Sequence, residues 1–303
     1  MDRVLLKGAL AELFDEGAAR FDASMAELTT FRIGGPADVL VEPRTADEAR
    51  VVLAACRRLG VAVRVMGLGS DVLVADEGLR CVVVRIAESL SQVEVDGERM
   101  HVEAGASNAD VARRACEEGL AGYEFACGIP GTVGGALRMN AGSRDEWIGS
   151  RVVSVTTLSP GKGLVRRDGD QIAWGYRSSS FASDEVIVEC ELSVEPADPF
   201  FIRGKMEASL ARRKKTQPLT DPSCGSVFRN PPGESAGSLV ERAGLKGMRI
   251  GGAQVSELHA NFIVNTGDAT ARDVKDLIEL VQAKVSETYG IELQPEVRFL
   301  GFA

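Results

Sequence analysis

The chain has 303 residues, 45% of them hydrophobic and 26% charged, with a formal net charge of -9. That balance describes a globular protein with a sizeable core, built as two domains or one large α+β unit. An acidic whole excludes broad binding to a phosphate backbone, while leaving room for a local basic pocket for one anionic substrate.

The N-terminal stretch MDRVLLKGALAELF is broken by Lys7 and Glu12, so a signal peptide is not expected. Residues 45–60 read as a helix with a capping box, Thr45 at the cap, Glu48 at the reciprocal position and Gly60 just past the end. A β-rich run, VAVRVMG, leads into the loop GLGSD, and a strand LRCVVVRI follows. SQVEVDGERMHVEAG reads as a hairpin around Asp96-Gly97. Asn108 is expected to cap a second helix that closes at Gly119. VVSVTTLSP and DEVIVECELSVEP are strands, separated by a turn-rich excursion holding WGYRSSSF. PADPFFIRGKMEASLARRKKTQP then reads as a basic helix bounded by prolines, a candidate domain boundary. Its Arg212, Arg213, Lys214 and Lys215 are better taken as a solvated helix end, complementing the dipole, than as a nucleic-acid patch. Beyond it lie CGSVFRNP, a short helix around AGSLVERAG, a strand HANFIVNTG, and a long amphipathic helix over residues 271–289. The spacing of Val274, Leu277, Ile278, Val281 and Val285 puts one face of that helix on a core. The strand QPEVRFLG ends the sequence.

Six cysteines lack any C-x-x-C pair, which suggests reduced thiols serving as small buried hydrophobes. The two histidines, His101 and His259, lie far apart, so no metal site is expected and a Ser-His-Asp triad has few candidates. The longest uncharged run, residues 125–137, spans 13 positions, short of the roughly 20 apolar residues a membrane helix needs. A cytoplasmic location is the expectation.

Two glycine-rich loops carry the cofactor signal. In GLGSDVLV (residues 67–74) bare amides suit an anion-binding nest, although such a turn after a strand is common and alone reads as a plain turn. GIPGTVGGALRMNAG (residues 128–142) is more telling: Gly128, Gly131, Gly134 and Gly135 crowd a stretch with no charge before Arg138. A helix beginning near Thr132 would aim its first amides at a pyrophosphate, and Asn140 would offer amide hydrogen bonds to a flat ring system. Neither loop fits G-x-G-x-x-G, which disfavours a Rossmann dehydrogenase. Two such loops about sixty residues apart suggest a large dinucleotide bound across subdomains.

TTFRIGGPAD (residues 29–38), MGLGSDVLV, EFACGIPGTVGGALRMNAG, YRSSSF, CGSVFRNP and PEVRFLG occur in the order seen in the UDP-N-acetylenolpyruvoylglucosamine reductase family. From about residue 29 onward the chain resembles that family. The resemblance implies an α+β architecture: an FAD-binding fold of the vanillyl-alcohol-oxidase type in two subdomains (about 1–87 and 88–198), then a substrate-binding domain over 199–292. The terminal strand, 293–303, is expected to return to the FAD region. It implies non-covalent FAD, held by Gly67, Gly69, Ser70 and Asp71 of the first loop. From the second it enlists Gly128, Ile129, Pro130, Gly131, Thr132, Gly134, Gly135, Asn140, Ala141 and Gly142. It further implies NADPH as hydride source and a UDP-sugar enolpyruvyl ether as substrate, in peptidoglycan precursor synthesis. Neither nucleic acid nor membrane is an expected partner, and a monomer or weak homo-oligomer is anticipated.

Residue by residue, Arg177 matches the arginine that engages the substrate carboxylate. Ser226 matches the serine that delivers a proton to the α-carbon, and Glu296 the glutamate that supports the enolate. Because a charged glutamate would oppose that enolate, Glu296 is expected to be protonated or to act through a partner. Tyr176, Asn230 and one lysine, Lys214 or Lys215, are expected at the substrate. Two departures stand out: Asp71 replaces the usual asparagine, and SRDEWIG follows MNAG where small residues are usual. Only 49 positions separate Arg177 from Ser226, which suggests the subclass without a tyrosine-bearing loop over the substrate. The rival readings are a sugar or alcohol oxidase of the same fold and a non-catalytic UDP-sugar-binding scaffold.

Overall fold

A computed structural model describes residues 19–143, 146–159 and 161–302. The N-terminal stretch read for a signal peptide, together with Arg144 and Asp145 of SRDEWIG, lies outside the described residues. The first third holds β1 (Ala19–Ser24), β2 (Pro36–Val41), α1 (Ala46–Arg58), β3 (Val63–Met66), β4 (Val72–Val74), β5 (Leu79–Arg85), β6 (Val93–Asp96) and β7 (Arg99–Glu103). Then come α2 (Asn108–Glu117), α3 (Val133–Met139), β8 (Val152–Ser159), β9 (Gly163–Asp168), β10 (Val186–Ser193) and α4 (Pro199–Thr216). The last third holds α5 (Ala236–Arg242), β11 (Arg249–Ile250), β12 (Ala253–Val255), β13 (Ile263–Asn265), α6 (Ala271–Tyr289) and β14 (Arg298–Leu300). The class is α+β, as expected.

The chain packs into two compact units. Among the described residues, one comprises those up to Arg20 with 39–68 and 81–212; the other comprises 21–38, 69–80 and 213–302. The division therefore differs from the expected break at 198/199, and the physical reasons are local. Helix α4 stays with the first unit because the Cys116 and Cys127 thiols donate to Pro199 O and Met206 O, each at 3.8 Å. Lys205 Nζ also lies 3.5 Å from a Glu124 carboxylate oxygen. Segments 21–38 and 69–80 join the second unit because Phe31, Ile33 and Leu73 are side chains of its hydrophobic core.

In the first unit, an antiparallel sheet runs in the order β9-β8-β10-β7-β6. The expected hairpin is present, with Asp96 paired to Arg99 and Gly97 at φ +58°, the left-handed geometry a two-residue hairpin loop needs. Also in this unit, β3 runs parallel to β5 through Val63↔Val82. Thr45 caps α1 by accepting from Glu48 N at 3.1 Å. The Glu48 carboxylate, however, reaches Arg44 N at 2.7 Å, one residue before the cap, so the box is displaced. The cap of α2 is Ser107 instead of Asn108, its Oγ accepting from Asp110 N at 3.0 Å. Asn108 is buried instead, accepting from Tyr123 Oη at 2.9 Å and donating to Gly131 O at 3.3 Å.

In the second unit, β11-β12-β13 form an antiparallel sheet. The apolar stripe of α6 is buried as its spacing predicts: Val274, Leu277, Ile278, Val281 and Val285 are each no more than 1% exposed. Fully burying five such side chains contributes roughly 1.5–3 kcal/mol each before entropy is counted. The terminal strand β14 pairs in parallel with β4 through Phe299↔Leu73. All six cysteines are free and buried.

Candidate functional site

The second glycine loop is a covered segment with a short accessible stretch. Residues 122–127 and 136–137 are buried, whereas 128–131 and 134–135 keep solvent access. Gly131 sits at φ +108°, which an L side chain rarely adopts. Helix α3 starts where expected, capped by Thr132 Oγ1, which accepts from Gly135 N at 3.3 Å. The anion site expected on its first amides is corrected by the structure. Val133 N donates to Ala106 O and Gly134 N to Ala104 O, both at 2.8 Å. With Gly135 N on its cap, the first three amides are spent internally, because buried N–H groups take the nearest acceptor.

The first glycine loop meets this cap. A Cβ placed on Gly67 would lie 2.5 Å from Thr132 Oγ1, closer than any side chain tolerates. The two loops are thereby joined within the first unit, and the join requires glycine. Gly67→Ala is expected to displace the Thr132 cap at a cost of about 1 kcal/mol. We expect lower FAD content in the purified variant, read from the ratio of visible to ultraviolet absorbance; wild-type FAD content would show the join to be incidental.

Asn140 closes α3 in the left-handed conformation, φ +43°. Its amide is not left for a flat ring system: Nδ2 donates to Gly175 O and Oδ1 accepts from Gly149 N, both at 3.0 Å. Asn140 is buried, and a buried amide in reach of two main-chain groups satisfies them. It braces the hairpin that carries Arg177. In that hairpin Trp174 pairs with Ser179 and Gly175 with Ser178, leaving Tyr176 and Arg177 as a two-residue loop. Ser179 Oγ donates to Arg138 O at 2.8 Å, a second tie to α3. Arg177 has φ +53°, uncommon outside glycine, asparagine and aspartate. A bulky cation held there is strained backbone of the kind found where function outweighs local comfort. Its guanidinium lies 5.3 Å from the Tyr176 ring centre.

In the second unit, the TTFRIGG segment ties two motifs together. Thr30 N donates to Gly69 O at 3.1 Å, and Thr30 Oγ1 donates to Ser223 O at 2.6 Å. Gly69 lies at φ +64°, and a Cβ there would meet Leu28 O at 2.4 Å. Ser226 is half-buried and follows Gly225, at φ +78°. Glu296 N donates to Val227 O at 2.7 Å, and Arg229 N to Gln294 O at 2.9 Å. Ser226 and Glu296 are thus brought together through adjoining main chain. Asn230 Oδ1 accepts from Ala236 N at 3.0 Å, which sets its side chain at the start of α5. Lys214 is exposed in the last turn of α4.

Asp71 belongs to this second group. Arg298 N donates to Asp71 O at 2.8 Å. Burial pushes the Asp71 carboxyl above its ordinary value of 3.8, and the Arg298 charge only partly opposes this. Burial pushes the neighbouring Cys224 thiol up as well, reinforced by the charges of Asp71 and Glu296. The sign for stability follows. The folded state holds the Asp71 proton to higher pH than the unfolded chain does, so this group's contribution is complete below 3.8 and is lost as pH rises through the folded value. Asp71→Asn, which restores the family's usual side chain, is expected to raise Tm at neutral pH and change it little in acid. An equal shift at both pH values would contradict burial as the cause.

Among residues that sequence reading missed, Asn261 is foremost. It stands in the apolar run HANFIVN, where nothing in spacing distinguishes it from a strand residue. Among the described residues no helix is long and apolar enough to cross a membrane.

Residues 37–169 match the family described as FAD binding domain. Residues 217–300 match UDP-N-acetylenolpyruvoylglucosamine reductase, C-terminal domain. The chain is 44% identical over 301 residues to UDP-N-acetylenolpyruvoylglucosamine reductase of Synechococcus sp. (strain WH7803), covering 97% of each. It is 44% identical over 289 residues to the enzyme of the same name from Alkalilimnicola ehrlichii, covering 95% of this chain and 96% of that one. Among solved structures it is similar to the UDP-N-acetylenolpyruvylglucosamine reductase of Thermus caldophilus, at TM-score 0.81 and 33% identity, over 93% of this chain and 98% of that one. Its likeness to Phl p 4.0202, a glucose dehydrogenase, reaches TM-score 0.51 at 17% identity over 66% of this chain and 45% of that one. That level shows a shared fold and nothing more.

Proposed function

The chain belongs to the UDP-N-acetylenolpyruvoylglucosamine reductase family, and on that premise we infer how its residues divide the reaction between them. It is an FAD-dependent oxidoreductase of peptidoglycan precursor synthesis, acting on the enolpyruvyl ether of a UDP-sugar. The observation that carries the residue assignment is the main-chain hydrogen bond from Glu296 N to O of Val227, the residue after Ser226, at 2.7 Å.

The residues present fit FAD. Residues 128–131 and 134–135 keep solvent access, and a Cβ at position 67 would crowd the Thr132 hydroxyl. Gly67, Gly69, Ser70 and Asp71 of one loop, with Gly128 to Thr132, Gly134, Gly135, Ala141 and Gly142 of the other, would hold the dinucleotide. Asn140 serves it by bracing the loop. Held there, FAD would supply the hydride chemistry that links NADPH to the β-carbon of the enolpyruvyl group.

The remaining chemistry falls to side chains. Hydride arrival at the β-carbon places negative charge on the α-carbon and its carboxylate. Arg177 meets that carboxylate with a permanently charged fork, worth most as the charge develops. Ser226 gives its hydroxyl proton to the α-carbon; a hydroxyl is a weak acid, but an enolate is a strong base, and orientation makes the transfer feasible. Glu296 supports the enolate from the adjoining segment ahead of β14, and Tyr176 lines the pocket. Asn230 and Lys214 take the diphosphate. The protein works in the cytoplasm as a monomer or weak homo-oligomer, without a nucleic-acid or membrane partner.

The test is an anaerobic visible spectrum followed near 450 nm, roughly the oxidised-flavin band. Bleaching by NADPH and return of colour on adding the enolpyruvyl UDP-sugar is the expected result. A colourless protein that takes up no added FAD would overturn the assignment.

A further inference from the structure

The hydrogen bonds around Ser226 single out a side chain with no assigned role. Val227 N donates to Asn261 O at 2.8 Å. Phe228 N donates to Asn261 Oδ1 at 3.0 Å, and Asn261 Nδ2 donates to Phe228 O at 2.8 Å. On the opposite edge, Val227 O accepts from Glu296 N at 2.7 Å and Arg229 N donates to Gln294 O at 2.9 Å. Every main-chain polar group of Val227 and Phe228 is therefore engaged. One side of this short segment pairs with the residues around Glu296; the other is held by a single asparagine.

The amide of Asn261 does here what a neighbouring strand would do, offering one acceptor and one donor in the spacing of a peptide group. It is 4% exposed, as Phe228 is 2% exposed, so water cannot substitute for it. Its main chain is fixed in turn, since Asn261 N donates to His259 Nδ1 at 3.2 Å. Ser226 stands immediately before the clamped pair and immediately after Gly225, whose φ of +78° marks a left-handed residue. Ser226 is thus bonded directly to a residue whose main chain is held on both edges.

We propose that Asn261 is the positioning residue for proton delivery, fixing the main chain of Val227 and Phe228 so that Ser226 keeps its direction relative to Glu296. This rests on the reading of Ser226 as proton donor. A hydroxyl that must reach one carbon loses rate steeply when displaced: about 1 Å of misplacement costs roughly 10²-fold. Removing the clamp therefore slows the oxidative half-reaction specifically.

The experiment uses the FAD-loaded enzyme and two variants, Asn261→Asp, of the same shape, and Asn261→Ala. Each is examined alone and combined with Ser226→Ala, with flavin reduction by NADPH and reoxidation by substrate timed separately. Expected are roughly 10–100-fold slower reoxidation, an unchanged reduction rate, a larger solvent deuterium effect on reoxidation, and weaker amide-exchange protection confined to residues 227–229. Because Asn261 acts through Ser226, the double variants should be no slower than Ser226→Ala alone. Independent, multiplying losses would overturn the proposal. So would loss of bound FAD or of both half-reactions in both Asn261 variants, which would show a role in folding alone. If Ser226→Ala itself reoxidises at the wild-type rate, the proton-donor assignment fails, and that outcome is distinct from slow Ser226→Ala with wild-type Asn261 variants, in which only the clamp fails.

Discussion

Ser226→Ala should leave flavin reduction by NADPH at its wild-type rate and slow flavin reoxidation by the enolpyruvyl UDP-sugar by roughly 10²–10⁴-fold, the range that a positioned general acid contributes. The side chain is half-buried between a left-handed glycine and a segment whose main chain is hydrogen-bonded on both edges. Alanine keeps those bonds and removes only the hydroxyl, so the effect should fall on proton delivery and spare the fold. Rapid mixing under anaerobic conditions, with the flavin band followed through each half-reaction, separates the two. Equal slowing of both would remove Ser226 from the role of proton donor.

The second large effect is expected at Arg177. Truncation to alanine removes a charge-assisted contact to the substrate carboxylate, worth roughly 1.5–3 kcal/mol, and should lower kcat/KM for the UDP-sugar by about 10–150-fold. Arg177→Lys keeps the charge but loses the planar fork, and should recover only part of that loss. The backbone supplies an independent control. At φ +53° any residue with a Cβ is strained, and relieving such strain is worth on the order of 1 kcal/mol. Arg177→Gly should therefore be as poor a catalyst as Arg177→Ala and yet melt at a higher temperature. An Arg177→Gly variant that is both stable and fully active would assign the arginine to packing alone.

Both side chains are legible in the sequence for the same reason. Arg177 in YRSSSF and Ser226 in CGSVFRNP are proposed as site residues because their flanking residues resemble a family; by themselves they read as a turn arginine and a turn serine. Their surroundings explain why the flanks matter. Ser179 of YRSSSF ties the hairpin to Arg138, and Gly225 of CGSVFRNP supplies a backbone conformation that other residues reach only with strain. The glycine loops were found from composition, but the use of their amides was not. A helix beginning at Thr132 was correctly expected, yet its first amides face Ala104 and Ala106, residues nearly thirty positions earlier, and no local pattern announces such partners. Asn140 shows the same limit: its identity pointed to amide chemistry, and its partners are Gly149 and Gly175.

What the sequence determined by itself is whatever depends on near neighbours along the chain. The spacing in α6 set its buried face, Gly97 set a hairpin, Gly60 and Gly119 marked helix ends, and the six scattered cysteines went into the core. Local steric preference and hydrophobic periodicity act over a few residues, so they can be read from a few residues. What only the tertiary structure decided depends on which distant groups meet. The capping box at Thr45 and the cap at Ser107 differ in detail from expectation because a competing N–H (Arg44) and a competing hydroxyl (Ser107) lie within reach. Residues 21–38 and 69–80 join the C-terminal unit because Phe31, Ile33 and Leu73 find their apolar partners there. Asn261 holds the segment after Ser226 across a gap of more than thirty residues. A hydrogen bond between such residues is fixed by the packing of whole elements, and a single sequence records the donor and the acceptor without recording that they will be neighbours.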